Sequence, residues 1–376
     1  MPAKEMVSPC MECNDADAVL TTRGRSLCGP CYRLFLEYKV WRRMDHYRPR
    51  PQRSAQPTAQ PAKPQLLLPL SLGVSSAALL NILDVALKRQ LAKSGRPAYA
   101  IHILVVEPST VSPVNVSCDT NIEAVREVFS DYPVTKVPLH SVFDYVSDMK
   151  DILAEYAGPH FFDDASQPND QRLAAFRGIV STATSKTDLN TVLFTRLVVG
   201  FAKHAGCESI LWADTDTRLA AKTLAGAAKG RGAALTWQVS DGMSPWGVKF
   251  EFPCRDISKP EISEYASVCP AILNVIIPDA PLSENILTKN MSIDELMMRY
   301  VTNQGEKYPG VMANVSRTAN KLESPSVTED ALCSLCGAMI ENVKGNETGI
   351  TVASQFAGKG SKFCYGCMRS RPDIIL

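Results

Sequence analysis

A length of 376 residues with 45% hydrophobic content is enough for at least one full core with smaller modules beside it. The net charge of +1 hides a basic arm: residues 33–63 carry Arg33, Lys39, Arg42, Arg43, Arg48, Arg50, Arg53 and Lys63 against only Glu37 and Asp45. The uncharged run from Leu66 to Leu83 invites a transmembrane reading. Pro69, Gly73, three serines and Asn81 within it exclude that in favour of a buried strand, a turn and a helix start, so a soluble protein is expected.

The chain opens on Cys10-x-x-Cys13 with Cys28-x-x-Cys31 and closes on Cys333-x-x-Cys336 with Cys364-x-x-Cys367. Each Cys-x-x-Cys turn aims two thiolates at one tetrahedral ion, and a second turn completes the shell without an open position, the pattern of structural zinc. Twelve cysteines also permit disulfides, with Cys118, Cys207, Cys254 and Cys269 scattered between the quartets. The N-terminus MPAKEMVSPC has neither an apolar h-region nor a cleavage site, so a reducing, cytoplasmic setting is expected, and reduced cysteines favour metal. Thiolate ligands alone leave zinc and an iron–sulfur cluster both open. The four unpaired cysteines and the dispersed histidines (His46, His102, His140, His160, His204) lack ligand spacing and are expected to be structural.

After the first quartet, Leu34, Tyr38 and Trp41 recur at helical spacing, so an amphipathic helix is expected to leave the second knuckle. The basic residues Arg33, Lys39, Arg42 and Arg43 interleave with aromatics there, a mixture that pairs phosphates and stacks on splayed bases; a solvated helix face is the competing reading. Residues 49–65, rich in Pro, Gln and Ala, read as a linker between a 1–48 metal module and a 66–325 domain. In that domain short apolar runs (LLLPLSL, AIHILVVE, VTKVPL, SILWAD) alternate with helical ones (SSAALLNILDVALKRQLA, IEAVREVFSDY, LNTVLFTRLVVGFAKHAG, TRLAAKTLAGAA). That alternation predicts an α/β fold with a doubly wound, mostly parallel sheet. The segment 160–171 reads as a polar excursion, KPEISEYASV and SIDELMMRYVTNQ as later helices, and 326–376 as the second metal module.

The first strand-to-helix junction is Leu70-Ser71-Leu72-Gly73-Val74-Ser75-Ser76-Ala77, a small-residue turn of the kind that holds phosphate at a helix N-terminus. Equally, Ser75 or Ser76 serves as a plain helix cap. The junction is similar to the PP-loop of the ATP pyrophosphatase superfamily, Ser-Gly-Gly-x-Asp-Ser: Ser71, Gly73 and Ser76 fit, while Leu72 replaces a glycine and Ser75 the aspartate. Together with the N-terminal knuckle, the run WADTDTRLAAKTL, the KGRG turn and the terminal Cys-x-x-Cys pair, it resembles the cytoplasmic tRNA 2-thiolation protein 2 family. That resemblance implies a non-catalytic subunit paired with a catalytic paralogue. On that resemblance the pair is expected to thiolate wobble uridine 34 in tRNAs for Lys, Glu and Gln, with sulfur from a thiocarboxylated ubiquitin-like carrier.

Where active relatives carry a phosphate loop, a metal-holding aspartate motif and a cysteine pair, this chain departs at each. It has Leu72 and Ser75 in the loop, Ala213-Asp214-Thr215-Asp216-Thr217-Arg218 after the later strand, and Ser181-Thr182-Ala183-Thr184-Ser185-Lys186 at the thiol position. ATP is therefore doubtful; if nucleotide is retained, Ser71, Gly73, Ser75 and Ser76 with Asp214 and Asp216 would contact it and its magnesium. Lys229 and Arg231, with Lys222, are expected beside the RNA entrance, and Lys359, Lys362, Arg369 and Arg371 around the last knuckle form a third basic group. The alternatives are an ATP-dependent tRNA sulfurtransferase or nucleotidyltransferase in its own right, and a metal-ribbon scaffold with no RNA role.

Overall fold

The computed structural model describes residues 8–48, 63–111, 117–159, 161–278, 291–322, 332–340 and 362–371. Most of the expected linker (49–62), His160, Arg50, Arg53 and Lys359 lie outside the described residues. In chain order the elements are a hairpin of β1 (Leu20–Thr22) and β2 (Arg25–Leu27), then α1 (Gly29–Arg43), β3 (Gln65–Pro69), α2 (Val74–Ser94) and β4 (Ala100–Val106). There follow α3 (Pro108–Val111), α4 (Asp119–Val128), β5 (Val134–Val137), α5 (Val142–Tyr145), α6 (Met149–Ala157), α7 (Asn169–Gly178) and α8 (Ala183–His204). The rest are β6 (Ser209–Leu211), α9 (Asp216–Ala228), α10 (Leu235–Gln238), β7 (Gly242–Met243), β8 (Lys249–Glu251), α11 (Lys259–Ser267), α12 (Ile293–Lys307), α13 (Pro309–Ala319) and α14 (Tyr365–Ser370).

Six strands form one sheet in the order β5-β4-β3-β6-β8-β7, parallel except for the β7 edge. This is the doubly wound α/β class expected from the alternation of short apolar runs with helices. The order runs outward from β3 through β4 and β5 on one side, and from β6 through β8 on the other. The strand order therefore reverses between β3 and β6, the position at which open sheets of this class bind ligands outside the carboxyl ends of the strands.

Side-chain alternation along the strands divides the interior into two cores, one per face. Leu67, Leu104, Val106, Ile210 and Phe250 belong to one; Leu66, Leu68, Ile101, Ile103, Val105 and Leu211 to the other. Cys333, Cys336, Cys364 and Cys367 sit in the first core, and Cys10 and Cys28 in the second with Tyr32, Leu36 and Val40 of α1. Each Cys quartet is thus built into one face of the sheet.

Helix α1 forms where Leu34, Tyr38 and Trp41 predict it, but on a different face. Tyr32, Leu36 and Val40 are the buried stripe, while Leu34 and Tyr38 are exposed. The sequence offers two apolar stripes on this helix, and docking against α2 and α11 selects the one bearing Tyr32, whose hydroxyl donates to the Glu261 carbonyl at 2.9 Å. In the 160–171 excursion residues 161–168 are irregular, α7 begins at Asn169, and Arg172 pairs with Asp163. No helix among the described residues is long and apolar enough to cross a membrane.

Candidate functional site

At the strand reversal two turns leave the carboxyl ends of β3 and β6. In the first, Leu72 adopts φ 60°, a left-handed backbone that costs a residue with a Cβ about 1 kcal/mol. It is the position at which the PP-loop pattern carries glycine, so the turn keeps a glycine's conformation without the glycine. The strain is held by packing: Leu72 is fully buried and its carbonyl accepts the Ile277 N–H at 2.8 Å. The hydroxyls are turned onto the loop itself. Ser71 Oγ lies 3.1 Å from Ser76 Oγ, Ser76 Oγ donates to the Gly73 carbonyl at 3.0 Å, and the Gly73 N–H approaches Ser71 Oγ at 3.4 Å. Ser75 is half-buried in the first turn of α2.

Beyond β6, the strand expected over SILWAD (209–214) ends at Leu211, and residues 212–215 form the turn into α9. Thr215 caps that helix, accepting the Arg218 N–H at 3.3 Å. Asp214 already has a cation, Lys222 Nζ at 2.5 Å, with Arg218 at 3.8 Å. Asp216 is buried, which pushes its carboxyl up, and it accepts the Thr217 hydroxyl at 3.0 Å. Residues 181–186 straddle the start of α8, where Thr182 accepts the Ser185 N–H at 3.2 Å.

The two quartets share one construction. In each, the first Cys-x-x-Cys turn is followed by a left-handed residue, Asn14 (φ 57°) or Gly337 (φ 71°), whose N–H returns to the carbonyl of the first cysteine at 3.0 and 2.8 Å. The second turn opens a helix: Cys28 caps α1 with Cys31 in its first turn, and Cys364 caps α14 with Cys367 in its first turn. Helix N-termini favour thiolate over thiol. The backbone N–H groups of Cys13 and Cys28 pull the Cys10 thiol down to about 6. Within each quartet the ligand atoms lie within 4.8 Å of one another, so each set of four can hold a metal ion. The Sγ pairs Cys13–Cys28, Cys333–Cys367 and Cys336–Cys364 are 3.9, 3.7 and 3.4 Å apart. A tetrahedron with metal–sulfur bonds of about 2.3 Å has edges of about 3.8 Å. All twelve cysteines are free, which removes the disulfide reading, and Cys118, Cys207, Cys254 and Cys269 are buried in the two cores.

The basic residues separate into surface and interior groups. Arg42 is exposed and has no ion pair among the described residues. Arg33 faces Glu37 at 3.6 Å. Lys39 and Arg43 are tied inward, Lys39 to Glu261 at 3.1 Å and Arg43 to Asp256 at 2.6 Å and Asp241 at 3.3 Å. Lys229 and Arg231, expected at an RNA entrance, are core residues 6% and 3% exposed. Arg231 grips Asp188, with Nε at 2.7 and 2.9 Å, and Lys229 reaches the same carboxylate at 2.9 Å. A glycine-flanked basic turn reads as surface because its acidic partner lies on α8, some forty residues away in sequence. Of the remaining cations, Lys362 pairs with Glu155 at 3.1 Å.

Glu261 is the residue the sequence reading missed. Ser258 and Glu261 form a capping box at the start of α11. The same carboxylate accepts from Thr22 at 3.0 Å, Arg23 at 2.9 and 3.2 Å and Lys39 at 3.1 Å, fastening the first cysteine module to the sheet domain. Burial pushes this carboxyl up, but Lys39, Arg23 and the Ser258 amide outweigh it and hold it at about 2. The Ser-x-x-Glu spacing announces the cap; nothing local announces the cations.

Comparison with known proteins bears on this geometry. A family model described as cytoplasmic tRNA 2-thiolation protein 2 matches residues 292–362. A protein of that name from Neosartorya fischeri is 49% identical over 376 residues, spanning 100% of both chains. One from Aspergillus clavatus is 48% identical over 377 residues, again across 100% of both. Among solved structures, the U34-tRNA thiolase NcsA from Methanococcus maripaludis with its 4Fe–4S cluster is similar at a TM-score of 0.56 and 14% identity, over 89% of this chain and 92% of that one. This last likeness is one of fold.

Proposed function

The chain belongs to the cytoplasmic tRNA 2-thiolation protein 2 family, and from that premise we propose that it is a non-catalytic subunit of a cytoplasmic tRNA-thiolating heterodimer. In this reading a catalytic paralogue activates wobble uridine 34 in tRNAs for Lys, Glu and Gln and receives sulfur from a thiocarboxylated ubiquitin-related carrier. This chain stabilises that partner and extends the surface for tRNA.

The observation that carries the reading is the construction of the two turns that leave β3 and β6. The first turn places a buried leucine where a backbone would approach phosphate and bonds its serines to one another. Asp214 on the second turn is already neutralised by Lys222. The start of α8, where active relatives carry thiols, has Ser181 and Thr182. Leu296, Tyr300, Tyr308 and Val311 are exposed along α12, α13 and their junction, which suits a protein partner. Arg42, exposed with Tyr38 one turn earlier on α1, is the remaining candidate for tRNA contact in the first module.

Both quartets are assigned structural zinc. Sγ separations near the edge of a mononuclear tetrahedron support this over a cluster, whose four irons and four sulfides would hold the thiolates further apart. The division into residues 1–48, 66–325 and 326–376 is kept as a functional one, since both small modules are integrated into the domain's cores.

Replacing Ser71 and Ser76 together by Ala in the full chain tests the non-catalytic reading. With the paralogue present, thiolation of wobble uridine, read by retardation of tRNA in a mercury gel, should stay within about twofold of the parent chain. Loss of thiolation with the heterodimer intact would mean that this loop takes part in the chemistry, as in a sulfurtransferase in its own right.

A further inference from the structure

The second quartet lies 2%, 1%, 6% and 0% exposed, and it is bordered by a chain of alternating charges that no catalytic role uses. Arg231 Nη1 is 3.5 Å from Cys367 Sγ, while its Nε side binds Asp188. Asp188 also accepts from Lys229 at 2.9 Å, and Lys229 reaches both carboxylate oxygens of Asp294 at 2.8 Å. Asp294 is in the first turn of α12, two residues after the Ser292 cap. The path is continuous from a metal ligand to the start of a helix on the outside of α9.

Backbone geometry holds this path in place. Gly230 has φ +69°, and a Cβ there would lie 2.4 Å from the Tyr365 ring; a Cβ on Gly366 would lie 2.6 Å from Arg231 Cγ. The Lys229-Gly230-Arg231 turn and the Tyr365-Gly366 turn of the quartet therefore pack closely against each other, with no room for a Cβ at either glycine. The Tyr156 hydroxyl donates to the Cys367 carbonyl at 3.1 Å from the other side.

Four thiolates around a divalent ion carry a net charge of −2, and in a dry core that charge needs a fixed cation. We infer that Arg231 is the outer-sphere cation of the second metal site, and that through Asp188, Lys229 and Asp294 the occupancy of that site is thermodynamically linked to the docking of α12. Arg231 is a positioning residue in this scheme: it orients and neutralises Cys367 without contacting the metal. The inference rests on the metal reading above. Linkage is reciprocal, so loosening α12 weakens metal binding and removing metal loosens α12.

The experiment uses the full chain, with metal content measured by mass spectrometry and release followed during chelator challenge. The first quartet, on the opposite face of the sheet, is the internal control. In Arg231→Met, one of two release phases should quicken about 10-fold while the other is unchanged, with Arg231→Lys in between. Asp294→Asn, at a half-exposed site remote from the ligands, should quicken the same phase by a smaller factor without threatening the fold. In the parent chain, stripping metal from that site should speed amide hydrogen exchange over residues 293–301. Cobalt substitution adds a reading that general destabilisation would not move, a shift of the thiolate charge-transfer band in Arg231→Met. A chain that binds no metal overturns the metal reading and this inference with it. Two bound metals with release unchanged in every variant, or quickened equally in both phases, overturn this inference alone, as does exchange over 293–301 that ignores the metal.

Discussion

Glu261 concentrates more consequence than any other single side chain described. Its carboxylate closes the cap of α11 and accepts from Thr22, Arg23 and Lys39, so Glu261→Gln removes the charge while keeping the shape. The change should cost about 2 kcal/mol at neutral pH, measured by denaturant unfolding. With its folded-state pKa held at about 2, below the usual 4.5, the native state binds fewer protons than the unfolded chain between those values. The stabilisation is therefore present above pH 4.5 and lost as pH falls toward 2, and the gap between variant and parent should close over that window. Both proteins carry the same quartets, so the difference isolates the carboxylate. Arg42 makes the opposite case, a cation with no partner among the described residues. Arg42→Ala should lower tRNA affinity and flatten its salt dependence by about 0.7 to 0.9 in the log–log slope. An unchanged slope would place the tRNA surface elsewhere.

Among the elements, those that repeat a local period were legible in the sequence. The runs LLLPL, AIHILVV and VTKV became β3, β4 and β5, and the long apolar-patterned segments became α2, α8 and α9. What escaped was set by partners distant in sequence. β7 and β8 are two and three residues long, β8 pairing on the edge of β6 and β7 on that of β8. The first strand after the quartet and its turn were placed correctly, but the strain at Leu72 was not visible, because a leucine at φ 60° is tolerated only where the fold holds it. Lys229 and Arg231 were misplaced for the same kind of reason: their charge was read without Asp188. The close packing of their turn against α14 gives a paired prediction. Gly230→Ala should cost about 3 kcal/mol, since a left-handed backbone and a ring contact both oppose it, whereas Gly247→Ala, at φ +75° with open space around it, should cost about 1 kcal/mol. Equal costs in thermal unfolding would mean that Tyr365 yields without resistance.

For the whole molecule, the two cysteine modules, each able to hold a metal ion, are not appendages. Each is built into the core on one face of the sheet, so chelation should remove structure well beyond the knuckles. The metal-free chain should unfold at a temperature lower by more than about 10 °C and recover on adding zinc. Unchanged melting would mean that packing alone holds both modules. At the strand reversal, where this fold class binds ligands, the turn after β3 holds a buried Leu72 and two serines whose hydroxyls meet at 3.1 Å. The most direct measurement is wobble-uridine thiolation in a purified system with unmodified tRNA, ATP and a thiocarboxylated carrier, comparing this chain alone, the proposed catalytic paralogue alone and the two together. Thiolation that requires both, with no ATP turnover by this chain by itself, is the result predicted; thiolation by this chain alone would contradict the account.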